Sequence, residues 1–315
     1  MNIVLLESLG IPDARLQELA RPWTEAGHTF RACPKDTDAA VQIERAREAD
    51  ALIIANMPLR GEVIRACTKL KFIDVAFTGV DHVDLEAARE CGIKVSNAAG
   101  YSTEAVSELA LCMMLSLLRN VPQVSERCRA GQTKDGLVGC ELRGKTVGIV
   151  GVGAIGARVS SLCHAFGCRV LGNKRHVLGT EPSYIEFLPL DELLKQSDIV
   201  TLHCPLTAET KNLIDAARLS LMKCGSYLVN TARGAVVDSQ ALAAALQSGH
   251  LAGAGIDVFE TEPPLPLNHP LLHAPNVLLT PHVAFASRES MEARAEIVFR
   301  NLRCWMEGKQ ENIVL

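Results

Sequence analysis

The sequence has no excess of positive charge: 32 Lys and Arg stand against 36 Asp and Glu, a net charge of −4. That balance excludes a broad basic field able to gather nucleic acid, and no zinc-finger spacing or basic helix is present. Of the 11 cysteines none forms a C-x-x-C pair, and they are scattered through apolar runs. They read as small buried hydrophobes of a reducing compartment, not as metal ligands or bridges. The longest apolar stretch, Leu109 to Leu118, is far too short to span a bilayer. The opening residues Met1-Asn2-Ile3-Val4-Leu5-Leu6 lack a basic region and a small-residue cleavage site. They read as a first buried strand, and the protein is expected to be cytoplasmic and away from membranes.

What is present is a globular composition, 48% hydrophobic and 22% charged over 315 residues, with material for two domains. Apolar strand-like runs alternate with amphipathic helical ones, the pattern of parallel sheets with helices on both faces. In the first hundred residues the strands are expected at Asn2–Leu6, Thr29–Cys33, Ala51–Ala55, Phe72–Ala76 and Lys94–Ser96. After a glycine-containing break, a helix from Ser102 or Thr103 to about Arg119 is apolar almost all round and is expected to be buried. A polar stretch, Arg129 to Arg143, precedes a second alternating unit. Its strands are expected at Thr146–Val150, Arg169–Leu171, Ile199–His203, Ser226–Asn230, Ala252–Asp257 and Val277–Thr280, with a last long helix over Ser287 to Glu307.

Between the strand ending at Val150 and the helix that follows lies Gly151-Val152-Gly153-Ala154-Ile155-Gly156. This strand–turn–helix context is the one a dinucleotide site requires. Gly151 would permit the tight turn, Gly153 the approach of a pyrophosphate, and Gly156 close helix–strand packing. Amide groups at the helix start would hold the phosphate charge. No such motif occurs in the first hundred residues, so the second unit is the nucleotide domain.

Ligands of open α/β sheets bind beyond the carboxyl ends of the strands, and three ionisable residues stand there. Arg233 follows the strand Ser226–Asn230 and could grip a carboxylate and an adjacent carbonyl. Glu262 follows the strand ending at Asp257. His282 follows the last strand and is the natural proton donor near neutral pH. Alone, each also fits a bland role: a surface arginine, a solvated acidic loop, a loop histidine held by backbone. Together they supply a carboxylate binder, an orienter and an acid–base, which hydride transfer to or from a 2-keto or 2-hydroxy acid needs.

Long motifs in order extend the case: SDIVTLHCPLTAET at 197–210, LMKCGSYLVNTARGAVVD at 221–238, GIDVFETEPP at 255–264 and TPHVAF at 280–285. With the glycine turn they make nearly the whole chain resemble the D-isomer-specific 2-hydroxyacid dehydrogenase family. The resemblance implies two doubly wound parallel-sheet domains, a Rossmann-type cofactor domain and a flavodoxin-like substrate domain. The substrate domain would take residues 1–100 and 285–315, the cofactor domain 101–284, with closure of a cleft between them. It implies a catalytic Arg233, Glu262 and His282 and a homodimer contact through the helix at 102–119 and the stretch after it. Gly151, Gly153, Ala154, Ile155 and Gly156 would bind the cofactor, together with Asn173, Lys174 and Arg175. His203, Cys204 and Pro205 would pass its adenosine and pyrophosphate, with Thr231 and Ala232 beside it. Asp257 would contact the nicotinamide end, with Val106 packed near it. The backbone of Phe77, Thr78, Gly79 and Val80 would receive the substrate carboxylate.

One departure bears on the cofactor. Sites selecting NAD place an acid at the end of the second strand, on the ribose 2′-OH. Here Lys174 stands in that place, followed by Arg175. No carboxylate repels a 2′-phosphate there, so NADP is expected to serve at least as well as NAD. His82 and Asp84 have no companions that would complete a metal site; they read as caps for the helix at Leu85. The same fold also serves as a cofactor-responsive corepressor, which leaves a binding module with little turnover as the alternative. Formate enzymes of this fold carry an amide where Glu262 stands, so formate or phosphite oxidation is not favoured.

Overall fold

The computed structural model describes residues 1–309 and 311–315, which form two compact units. The first comprises Met1–Ser102 and Ala286–Leu315, the second Thr103–Phe285.

In the first unit the apolar runs become five parallel strands: β1 (Asn2–Leu5), β2 (Thr29–Ala32), β3 (Ala51–Ile54), β4 (Phe72–Val75) and β5 (Lys94–Asn97). Their order is β2-β1-β3-β4-β5, the flavodoxin-like order. Every residue of β3 and β4 is buried, as expected of strands covered on both faces, whereas β2 at the edge is largely exposed. One face is covered by the helices Asp13–Glu25 and Arg288–Met306, whose Trp23, Val298, Phe299 and Leu302 meet Ile3, Leu5, Ile53 and Phe72. Ser287 and Ser290 start the last helix by capping each other reciprocally, each backbone amide donating to the other hydroxyl at 3.0 Å. Asp84 caps the helix Leu85–Glu90 by accepting the Ala87 amide at 2.9 Å.

The second unit contains β6 (Thr146–Val150), β7 (Arg169–Asn173), β8 (Ile185–Phe187), β9 (Ile199–Leu202), β10 (Ser226–Asn230), β11 (Leu251–Ile256) and β12 (Val277–Leu279). They form one parallel sheet in the order β12-β11-β10-β9-β6-β7-β8. One face is covered by the helices Leu190–Gln196, Ala216–Leu221 and Ser239–Gln247; the other by Thr103–Leu118 and Ala154–Ala165. The chain runs outward from β6 through β7 to β8, then returns to β9 on the opposite side. The reversal places a crevice beyond the carboxyl ends of β6 and β9, where ligands of such sheets bind.

Two local expectations need correction, and one helix carries no signal in the sequence. The second strand of this unit does not stop at Leu171 but runs to Asn173, because Gly172 lies flat against β8: a Cβ there would stand 2.8 Å from Ile185 and 2.9 Å from Phe187. The helix Thr103–Leu118 is not buried all round: Glu108 and Cys112 are exposed, and Leu109, Leu111 and Leu115 are only half-buried at the margin of the core. A further helix, Val121–Arg129, follows it after a left-handed Asn120 at φ 51°, in residues too polar to show an apolar stripe.

Candidate active site

The carboxyl ends of β9, β6 and β7 meet at the glycine turn. The Gly151 amide donates to the Asn173 carbonyl at 2.9 Å, and the His203 amide to the Val150 carbonyl at 2.8 Å. The glycines are needed for different reasons. Gly151 has φ +93°, and a Cβ there would lie 2.6 Å from the Cys204 nitrogen and 2.7 Å from the His203 carbonyl carbon. A Cβ on Gly156 would stand 2.1 Å from the Gly151 oxygen, so the helix could not approach the strand. Gly153 has ordinary backbone angles, and a Cβ there would meet no atom of the chain within 4 Å. The chain itself does not require a glycine at 153, and the space above its backbone is open.

Around this turn lie polar atoms without a hydrogen-bond partner among the described residues, His203 Nδ1 and Thr231 Oγ1, both buried. The other His203 ring nitrogen is 2.9 Å from Thr201 Oγ1. Burial pushes the His203 imidazole down to about 3, so the ring is neutral at working pH. Cys204 is buried, and the same desolvation raises its thiol, which makes it a wall of the crevice and not a nucleophile. Ala154 and Ile155 open the helix after the turn, and Pro205 follows Cys204. Val106 is buried in the helix Thr103–Leu118, and the neighbouring Ser107 hydroxyl donates to the Ile155 carbonyl at 3.4 Å. An open glycine cradle, a helix N-terminus and two buried polar atoms fit the diphosphate and ribose of a dinucleotide.

The cations beyond β7 are not bare. Lys174 Nζ lies 2.7 Å from Glu181 Oε1, and Arg175 lies 3.6 Å from Glu209. The Asn173 side chain donates to the Leu188 carbonyl at 3.0 Å, so it belongs to the sheet edge.

The catalytic candidates sit beyond β10, β11 and β12. Asn230, buried at the end of β10, accepts the Ala232 amide at 3.0 Å and donates to the Arg233 carbonyl at 2.9 Å, which shapes the loop Thr231-Ala232-Arg233. A Cβ on Gly234 would lie 1.9 Å from the Phe259 carbonyl carbon, so the Arg233 loop runs directly against the backbone that leads to Glu262. The Glu262 carboxylate meets His282 Nδ1 at 2.8 and 3.0 Å. Facing a carboxylate, that nitrogen carries a proton. The His282 side chain is 12% exposed and the Glu262 side chain 59%, so the imidazole is enclosed while its partner reaches solvent.

Asp257 is fully buried, and the observed use of its carboxylate is to hold the histidine loop. It accepts Thr280 Oγ1 at 2.6 Å and the amides of Val283 and Ala284 at 2.9 and 3.0 Å. Asn230, Thr280 and Thr201 escape the sequence reading because nothing but their place at strand ends marks them. A second imidazole–carboxylate pair in the same loops, His269 and Glu260 at 3.2 Å, also went unread.

In the first unit the loop Phe77–Val80 follows β4. The Asn97 side chain donates to the Thr78 carbonyl at 2.7 Å, and the Ala98 amide to the Phe77 carbonyl at 3.0 Å. Beside it Glu7, buried at the end of β1, accepts the amides of Ala55 and Met57 at 3.1 and 2.9 Å and pairs with Lys35 at 2.9 Å.

Residues 111–284 match the model of the NAD binding domain of D-isomer specific 2-hydroxyacid dehydrogenases. A glyoxylate reductase of Thermofilum pendens is 41% identical over 272 residues, 84% of this chain and 80% of the relative. Among solved structures, D-lactate dehydrogenase of Aquifex aeolicus complexed with NAD and lactic acid aligns with a TM-score of 0.89 at 29% identity, over 100% of this chain and 99% of that one. An acyclic imino acid reductase in complex with NADPH and D-Arg aligns with a TM-score of 0.91 at 29% identity over the full length of both. The chain belongs to the D-isomer specific 2-hydroxyacid dehydrogenase family, nicotinamide-dependent enzymes whose cofactor domain is built as the second unit is built.

Proposed function

We propose that the protein interconverts a small 2-keto acid and its D-2-hydroxy acid, with His282 as the acid–base, Glu262 as its partner and Arg233 as the substrate binder. The observation that carries the reading is the Glu262–His282 pair at 2.8 Å, beyond strands of the same sheet whose glycine turn forms the phosphate cradle. When bound, the nicotinamide supplies or accepts the hydride at the substrate's C2 carbon.

The chain's own residues do the rest. His282 gives a proton from Nε2 to the carbonyl oxygen in reduction and takes it back in oxidation. Glu262 accepts the Nδ1 proton and holds the imidazole in its orientation. The Arg233 guanidinium binds the carboxylate and neutralises charge developing on the oxygen. Backbone amides of Thr78 to Val80 would take the carboxylate in the first unit, the Phe77 amide being already donated to the Val75 carbonyl at 2.7 Å, and that unit would then be the substrate domain. The glycine turn, His203, Cys204, Pro205, Thr231 and Ala232 would hold the dinucleotide, and Lys174 and Arg175 would let the 2′-phosphorylated form serve at least as well as the other. The half-buried Leu109, Leu111 and Leu115 support a homodimer that covers this side of the helix.

The deciding experiment is a panel of short 2-keto acids, glyoxylate, hydroxypyruvate and pyruvate among them, assayed with NADH and with NADPH. Turnover of at least one acid, giving the D-product, is expected. Tight cofactor binding with no turnover on any acid would replace this reading by that of a cofactor-sensing module.

A further inference from the structure

The end of β7 carries an ion pair whose function lies outside the hydride-transfer chemistry. Asn173, the last residue of the strand, is bonded through its carbonyl to the Gly151 amide at 2.9 Å, so Lys174 stands one residue from the glycine turn. Lys174 Nζ reaches Glu181 Oε1 at 2.7 Å, and the two side chains are only 27% and 9% exposed. Glu181 is in turn fixed from the other side. Its oxygens accept the Leu178 amide at 3.0 and 3.1 Å and the Gly179 amide at 2.8 Å. The Leu178 amide and Lys174 hold its carboxyl down to about 2, so it remains charged through the working range. The neighbouring Arg175–Glu209 pair is looser, 3.6 Å long with both side chains 69% exposed, and solvent screens it.

We propose that Glu181 is a specificity-determining residue of the dinucleotide site: it neutralises Lys174 and so restrains the affinity for an adenosine 2′-phosphate. The inference rests on the reading that Lys174 faces the adenosine ribose. A 2′-phosphate needs the lysine as its counter-charge, and while Glu181 holds that ammonium the phosphate must compete with a fixed carboxylate. A 2′-hydroxyl does not need the cation. The two glutamates leave the pair of cations with almost no net charge, which explains how a strand end without its acid can still admit the unphosphorylated cofactor. Of the two, Glu181 decides, because its pair is shorter, less exposed and anchored by two backbone amides.

The test is calorimetric titration of the ligand-free chain with adenosine 2′,5′-bisphosphate and with adenosine 5′-monophosphate. Glu181→Gln keeps an acceptor for the Leu178 and Gly179 amides and removes the charge. It is expected to tighten the bisphosphate about 10-fold and to leave the monophosphate within about 2-fold. Lys174→Ala is expected to weaken the bisphosphate by a similar factor. If Lys174→Ala weakens the bisphosphate while Glu181→Gln leaves it unchanged or weaker, Glu181 has no such role, though Lys174 keeps its place. Loss of both ligands in Glu181→Gln would mean that the amide acceptances matter and the charge does not, which also overturns the proposal. If Lys174→Ala changes neither ligand, the placement of Lys174 at the ribose fails first, and the inference with it.

Discussion

The Asp257 carbonyl accepts the His282 amide at 2.7 Å, while its buried carboxylate takes the amides of Val283 and Ala284 and the Thr280 hydroxyl. One residue at the end of β11 thereby determines the whole loop that carries the histidine. The fixing has a reason in the backbone: His282 sits at φ +55°, a left-handed conformation that costs a non-glycine residue about 1–2 kcal/mol. Asp257→Asn presents a donor where the carboxylate accepted, and one loop amide loses its partner. Stability is expected to fall by roughly 1–3 kcal/mol, with a drop in turnover larger than the drop in cofactor affinity. Unchanged turnover in a variant melting at the normal temperature would show that the loop holds its shape without Asp257.

In the proposed reaction, removing the imidazole removes the proton donor. His282→Ala is expected to lower turnover by roughly 10²–10⁴-fold, with cofactor binding retained. Glu262→Gln keeps the side-chain shape but loses the charge-assisted bond, and should cost about 10-fold or more in turnover. Steady-state kinetics with the best acid of the panel, beside cofactor titration, check both; near-full activity of His282→Ala would end the proposed chemistry.

The glycine turn makes a prediction that separates folding from binding. A methyl at Gly156 collides with the Gly151 oxygen, so Gly156→Ala should destabilise the second unit by about 1–3 kcal/mol or more. A methyl at Gly153 touches nothing in the chain, so Gly153→Ala should melt like the parent and bind the dinucleotide at least about 10-fold more weakly. Thermal melts and cofactor titration on the two variants suffice. Equal cofactor affinity in Gly153→Ala would mean that the pyrophosphate does not rest on this residue.

Asp74, in the middle of the buried β4, gives a pH dependence. It is wholly inaccessible, its Oδ1 accepts the Asn301 amide at 3.0 Å, and its Oδ2 has no partner among the described residues. Burial pushes its carboxyl well above the ordinary 3.8. Between that ordinary value and the raised one, the folded chain holds a proton that the unfolded chain has released. Stability therefore falls as pH rises through the window, and this contribution is greatest below it. Asp74→Asn removes the titration and keeps the acceptor for Asn301. It should melt higher than the parent near about pH 8 and lose that advantage towards about pH 4; a pH-independent difference would refute the assignment.

Much of this was readable in advance because the signals are local. The strands of both sheets are apolar runs between polar helical ones, and their expected ends lie within one or two residues of those observed. The exceptions are instructive. β8 is three residues long at a sheet edge and carries too few apolar positions to show a period. β7 continues through Gly172 and Asn173, poor strand formers, because β8 packs flat against the glycine. The helix Val121–Arg129 has no buried residue and so no apolar stripe to read.

The site divides along the same line. The amino-acid sequence by itself determined the glycine turn, because its residues act through the chain's own stereochemistry within six positions. It also placed Arg233, Glu262 and His282, because each follows a recognisable strand. Only the tertiary structure decided which groups hold them: Asn230 on the Arg233 loop, Asp257 on the His282 loop, Glu262 on the imidazole. It alone showed that Lys174 is already matched by Glu181. Hydrogen bonds and ion pairs act over about 3 Å between side chains that the sheet brings together from distant positions, and spacing along the chain carries no record of which acceptor each donor will meet.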